Sequence, residues 1–408
     1  MRTFFAISLL LIALALVLGA GSAFAAETQY ELWVPNQADD QINIYSSDGF
    51  QIVTTIDVGA GGFAKGAKPH LVAFSPSGKY AFVTNVGAKA DTNNVTVIRA
   101  ADRKIVAQLP TVASAHATAF SSDGKRVWIY NTAANQITEI LADEAAEKWT
   151  VGRAIKLGIR PVLGAFTPDN AYNLVTLGGN ADNLGGIAMV NVATGKVEEQ
   201  MEAGREAVGA VLSNDKQRLY ATVGFHAKNP TDMNDRLYVF DPTTRALMQS
   251  IKLDGIKDSH ILSQTPDGKE LWIANRQSNT ITILDAVTHA RKAIVTVGDR
   301  PDALAFSPDG KYAFWTLRGQ PQTGDPFALK GNSPGVEVYD ASARKFVTFI
   351  PMPNGDPHGV AIYTPQATVA ILPTTGADLS GTLLALAAIG MIIIGIAIFL
   401  ERPSFRTR

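Results

Sequence analysis

The 408-residue sequence predicts an all-β fold: a seven-bladed β-propeller of four-stranded antiparallel blades, followed by a C-terminal transmembrane helix. Three observations predict the propeller. A turn motif recurs along the chain, as Ser75-Pro76-Ser77-Gly78, Ser121-Ser122-Asp123-Gly124, Thr167-Pro168-Asp169-Asn170, Ser213-Asn214-Asp215-Lys216, Thr265-Pro266-Asp267-Gly268 and Ser307-Pro308-Asp309-Gly310. Short β-type runs follow each turn. The first and last segments also complete one another, which closes a ring.

The elements follow in order. Segments begin at Tyr30, Tyr80, Arg126, Ala171, Arg218, Glu270 and Tyr312. Pro and Gly at the turn offsets supply the backbone angles a tight turn needs. After the turn come runs such as Tyr80–Asn85, Arg126–Asn131 and Glu270–Asn275, rich in Val, Ile, Phe and Trp. A second run follows, as in Arg236–Phe240 and Thr280–Leu284, and then a third, as in Lys104–Leu109. A fourth, such as Leu71–Phe74, ends the unit. Four strands in a repeat of roughly 46 residues is the propeller pattern. The N-terminal segment supplies three strands of a blade, so its innermost strand is expected at Gly359–Ile362. That pairing removes the open sheet edges.

Tyr80-Ala81-Phe82-Val83-Thr84-Asn85, with Ser307-Pro308-Asp309-Gly310-Lys311, resembles the YVTN family of propeller repeats over Tyr30 to Thr364. The resemblance implies the superfamily of the nitrous oxide reductase and cytochrome cd1 propellers. Leu177 and Val223 stand at the Asn position of two repeats and depart from the pattern.

Inner strands of a propeller converge on one axis, so residues at one repeat position form a ring. Four residues before Phe74, Phe120, Phe166, Leu212, Gln264, Phe306 and Ile362 lie His70, His116, Val162, Val208, His260, Asp302 and His358. Four of the six histidines occupy this single position. In one reading they only cap the starts of inner strands. In the other, His70, His116, His260, Asp302 and His358 meet at the channel mouth as ligands of copper or zinc, which imidazole suits. The resemblance to nitrous oxide reductase implies the second reading, although a seven-His set is absent. Arg160 and Arg300, two residues before the ring, are candidate anion contacts. The insertion Gly224–Asp235 and the stretches 318–334 and 59–68 are expected on the His face, where lengthened loops build a binding surface.

Both ends carry targeting signals. Arg2 precedes an apolar run, Phe4–Leu18, and Ala23-Phe24-Ala25 is an A-x-A cleavage site, so residues 1–25 are expected to be a signal peptide. The propeller occupies 26–364, and a linker with the motif Leu372-Pro373-Thr374-Thr375-Gly376 covers 365–376. Residues 377–408 hold an apolar span, Leu379–Leu400, and a tail with Arg402, Arg406 and Arg408. The span is long enough for a hydrocarbon core of roughly 30 Å, and the basic tail suits the cytoplasmic side. This arrangement resembles the LPXTG sorting signal of sortase substrates. The resemblance implies thiolate attack at the Thr375 carbonyl, departure of Gly376 and transfer to a peptidoglycan precursor. The membrane holds the chain through the C-terminal helix until then.

Zero cysteines exclude disulfides and thiolate metal sites, and a formal net charge of −1 without a basic cluster excludes nucleic acid as partner. No G-x-S-x-G, H-E-x-x-H or C-x-x-C occurs. The expectation is a monomeric, cell-wall-anchored binding module rather than an enzyme. It would recognise an extracellular protein, glycan or small ligand through its loop-rich face. The alternatives are a copper or zinc protein, with oxidoreductase chemistry, and a lactonase-like hydrolase. No cofactor is called for beyond that metal, and no catalytic residue is assigned.

Overall fold

The computed structural model describes residues 29–59, 66–87, 94–180, 183–319 and 334–365. The chain divides into two units, Met1–Pro365 and Gln366–Arg408. The expected leader, sorting motif, transmembrane helix and basic tail lie outside the described residues. Among the described residues, no helix is long and apolar enough to cross a membrane.

The described residues form 28 strands, arranged as seven antiparallel groups of four. In blade 2 these run from the axis outward as Pro69–Phe74, Tyr80–Asn85, Asn94–Arg99 and Lys104–Pro110. The inner strands of blades 3 to 7 are Ala115–Phe120, Arg160–Phe166, Glu206–Leu212, Ser259–Gln264 and Pro301–Phe306. Blade 1 draws on both ends of the unit: Ala361–Tyr363 pairs with Glu31–Asn36, ahead of Gln41–Ser46 and Ile52–Asp57. The closing strand is therefore shorter than the expected Gly359–Ile362 and lies slightly later. Each inner strand packs on both its neighbours, so the ring is complete. Blades 4 and 5 are joined further by a Gly178–Glu206 pairing.

Burial explains the residue pattern of each strand. Tyr80–Asn85 and Leu219–Gly224 are buried along their whole length, because neighbouring blades cover both faces. Their sequences are accordingly near-continuous apolar runs, without alternation. The outer strands Ile52–Asp57 and Leu247–Lys252 are largely exposed and more polar. Trp33, Trp128, Trp272 and Trp315 are fully buried between blades. Each indole N–H donates to a glutamate, Glu31, Glu139, Glu270 and Glu337 respectively, at 2.9 to 3.2 Å. A buried indole needs such an acceptor.

The recurring turns are tied by their own side chains. The hydroxyl of Ser121, Thr265 or Ser307 donates to the aspartate two residues on, at 2.5 to 2.7 Å. That carboxylate also accepts the N–H of Lys125, Lys269 or Lys311, at 3.0 to 3.1 Å. The hydroxyl of Thr265 and this backbone bond hold the Asp267 carboxyl down at about 2. Gly124 and Gly310 take φ of 69° and 72°, the left-handed region that glycine enters without strain.

Two devices aim the ring residues. The first is a break in pairing register at the ring position of blades 2 to 7, for example between Pro69 and Leu71 and between Ser259 and Leu262. A bulge of this kind leaves one residue out of the ladder and re-aims its side chain. The second is a threonine on the second strand. Thr84, Thr176, Thr222 and Thr316 each accept an N–H from the bulge of their own blade. Each also donates to the ring-residue carbonyl of the next blade: His116, Val208, His260 and His358.

Thr222→Val, nearly isosteric, removes both bonds of one such link. The Gly209 N–H and the His260 carbonyl are then left buried without it. Urea unfolding should show a loss of about 2 kcal/mol; a change near zero would show that the link does not hold the blades together.

Candidate functional site at the propeller axis

All seven ring positions line one cavity of about 750 Å³. The arc expected from repeat order is present. His260 Nε2 lies 3.0 Å from Asp302 Oδ1, and His358 Nδ1 lies 3.0 Å from Asp302 Oδ2. The His70 ring is 4.2 Å from that of His358 and 4.4 Å from that of His116, centroid to centroid. Val162 and Val208 fill the rest of the circle.

Hydrogen-bond partners set the state of each imidazole. His116 Nδ1 is 2.9 Å from the Val162 carbonyl, which can only accept, so this nitrogen carries the proton and Nε2 is the acceptor. Gln37 donates its amide N–H to His70 Nδ1, which puts the His70 proton on Nε2. His260 donates through Nε2 to Asp302, and its Nδ1, buried, has no hydrogen-bond partner. His358 Nε2 lies 3.4 Å from Asp356 Oδ1, near but misaligned for a hydrogen bond.

Burial disfavours the charged imidazolium. It pushes His70 well below its ordinary value, helped by the His358 and His116 rings, and takes His116 down to about 3. Burial and the Arg276 guanidinium lower His260. Burial alone would raise the Asp302 carboxyl, but His260 and His358 outweigh it and hold Asp302 well below the usual carboxylate range. In the same way, His358 and Arg318 overcome burial at Asp356 and keep it ionised.

The structure adds residues that the sequence reading missed. Arg276 and Arg318 line the cavity and are nearly buried. Arg276 Nε pairs with Asp258 at 2.9 Å, and Arg318 Nε with Asp356 at 3.0 Å. The signal was present: both aspartates stand two residues before a ring histidine, and both arginines follow a second strand. Arg160 lies on the wall, as expected, and donates to the Gly179 carbonyl at 3.1 Å. Arg300 does not: it is fully buried, and the anion contact expected of it is withdrawn. Of the lengthened loops, Phe225, His226, Ala227 and Lys228 reach the cavity; 60–65 and 320–333 lie outside the described residues. Arg205 holds this wall through the Asn180, Asn183 and Lys228 carbonyls.

The five expected metal ligands come together, but as arranged they do not fit a metal. Both Asp302 oxygens face imidazole nitrogens. Among the described residues, no group of three or more His, Cys, Asp or Glu is placed to hold a metal ion.

No family model matches the chain. In fold it is similar to PpgL, a periplasmic gluconolactonase of Pseudomonas aeruginosa, with a TM-score of 0.63 and 14% identity over 83% of this chain and 100% of that one. It is also similar to the dihydro-heme d1 dehydrogenase NirN in complex with DHE, with a TM-score of 0.51 and 16% identity over 84% of this chain and 76% of that one. These likenesses establish the propeller fold alone. In sequence, 123 residues are 28% identical to Antigen Lp49 of Leptospira interrogans, covering 30% of this chain and 26% of that protein. The match thus spans about a quarter of that relative's length.

The depressed histidines make stability pH-dependent. Their folded pKa lies below the unfolded value, so unfolded chains bind more protons on the acid side, and stability is full above about pH 6.5. It should fall as pH drops from there toward about 3, the folded value of His116. Asp302 adds loss of the same sign below about pH 4. Thermal melts across this window should show the decline, and His116→Gln should flatten it. An unchanged slope would mean that His116 takes up its proton in the folded chain.

Proposed function

We propose that this is an envelope-exposed binding module that takes a small ligand in the axial cavity of its loop-rich face. One observation carries the reading. Register-equivalent positions from all seven blades converge on a single cavity, and five of the seven bring polar side chains held in set hydrogen-bonding states. Polar groups are costly to bury without partners, so a wall of this kind suits a ligand that completes it. The wall reached by the Phe225–Lys228 loop fits the same use. Export and anchoring rest on the Ala23-Phe24-Ala25 site and the Leu372–Gly376 motif. The names of a periplasmic enzyme and an antigen among the similar proteins support an envelope location.

A second reading is hydrolytic. A buried imidazole acceptor, His260 Nδ1, oriented by Asp302 through the opposite nitrogen, has the form of a base and its orienting group. The structural likeness to a gluconolactonase favours a cyclic ester as substrate for that chemistry.

The deciding experiment is a fragment screen on the purified propeller, read by the methyl NMR signals of Val162 and Val208. Ligands should shift both signals, and Val208→Trp, which fills the cavity, should abolish the shift at the remaining Val162 methyls while the melting temperature holds within a few degrees. No shift from any fragment would overturn the reading. Near-stoichiometric copper or zinc surviving dialysis would instead return the metal reading.

A further inference from the structure

We infer that the axial cavity takes an organic monoanion, a carboxylate on an apolar body, with its charged end held at the mouth by Arg160 and Lys228. This rests on the reading of the cavity as a ligand site.

On the side of blades 4 and 5 the wall has two levels. Val162 and Val208 belong to the ring. Arg160 and Glu206 stand two residues before them on the same inner strands, toward the loop-rich face, and all four line the cavity. The rise of a strand puts that step at roughly 6 Å. Lys228 joins the wall from the Phe225–Lys228 loop. Hydrocarbon at the ring level therefore lies below ionic groups at the mouth.

The buried charges of the cavity are balanced. Arg276 faces Asp258, Arg318 faces Asp356, and Asp302 faces two imidazoles. The charges at the mouth are not. Two cations, Arg160 and Lys228, meet one carboxylate, Glu206. Both cations are exposed, and neither makes an ion pair among the described residues. Arg160 donates one N–H to the Gly179 carbonyl, which leaves much of its donor fork open. Burial, with Arg205 and Lys228, lowers His226, so that ring adds no charge. Arg205 braces the same wall through carbonyls and adds to the positive field without lining the cavity. A concave wall with a surplus of one sign concentrates the field on an ion of the other sign.

The class follows from these residues. A carboxylate matches the planar guanidinium fork. Glu206 sets the limit on charge, because a phosphate monoester carries nearly two negative charges at neutral pH and is repelled more strongly. An apolar body gains by covering Val162, Val208 and Phe225.

The test titrates benzoate, benzamide, benzylamine and phenyl phosphate by calorimetry at pH 7 and low salt, and follows the Val162 and Val208 methyls. Benzoate should bind and shift both signals. Benzamide, of the same shape without the charge, should bind about tenfold more weakly. Added salt should weaken benzoate and leave benzamide unchanged, since it screens only the charged pair. Joint replacement, Arg160→Gln with Lys228→Gln, should bring benzoate down to the level of benzamide. Glu206→Gln should strengthen benzoate, a gain that a merely structural role would not produce. The salt dependence is read on the unaltered protein, so the test does not hang on the folding of any variant. Equal binding of benzoate and benzamide, tighter binding of benzylamine or phenyl phosphate, or an undiminished preference for benzoate in the Arg160 and Lys228 variant would overturn the proposal. If other fragments shift the valine methyls and benzoate does not, the carboxylate class falls and the cavity remains a ligand site. If nothing shifts them, both readings fall.

Discussion

The link between threonine and bulge is the constraint on which the axis depends. A hydroxyl group accepts and donates at once, and each linking threonine uses both capacities. It satisfies the N–H freed by the bulge of its own blade and the carbonyl of the next ring residue. Without the bulge, the ring side chain would return to the pleat alternation of the inner strand. Without the hydroxyl, neighbouring ring residues would lose a shared reference point. The hydrogen-bond length between Asp302 and His358 follows from this coupling through Thr316, whereas blade 6 has Ala274 at the threonine position and His260 meets Asp302 without such a link.

Blade 3 shows a different solution to the same need. Tyr130 stands where the linking threonine stands elsewhere, and its hydroxyl crosses to Asn173 of blade 4. Gly164 lies beneath that hydroxyl, where a Cβ would collide with it. The buried indole and glutamate pairs lie on the second and third strands of their blades. Arg103 of blade 2 reaches Glu31 of blade 1, and Arg344 of blade 7 reaches Glu270 of blade 6 at 2.8 Å. The blades are therefore joined at two radii, with hydroxyl links near the axis and ionic links farther out.

The polar arc is held neutral or balanced throughout. Burial keeps His70, His116 and His260 deprotonated, while Asp302 stays ionised because two imidazoles donate to it. Asp258 and Asp356 face the two arginines. The insertion after Leu219–Gly224 contributes to the same site. Asn234 Oδ1 accepts from Asn229 and from the His226 N–H, and Asp235 accepts from Ser259. Burial pushes the Asp235 carboxyl up to about 6. These bonds turn Asn234 and Asp235 inward to brace the loop.

Residue order alone was enough for the repeat, the turns and the membership of the ring, because a propeller maps equal repeat positions to equal places in space. His70, His116, His260, Asp302 and His358 could be grouped from spacing for that reason. What repeat counting could not give was hydrogen-bond direction. That Asp302 takes two imidazole protons, that Gln37 fixes His70 and that Arg300 turns away from the cavity while Arg276 and Arg318 line it all depend on bulge geometry and on contacts between blades. Those contacts join residues far apart in the chain, and only packing brings them within a hydrogen-bond length.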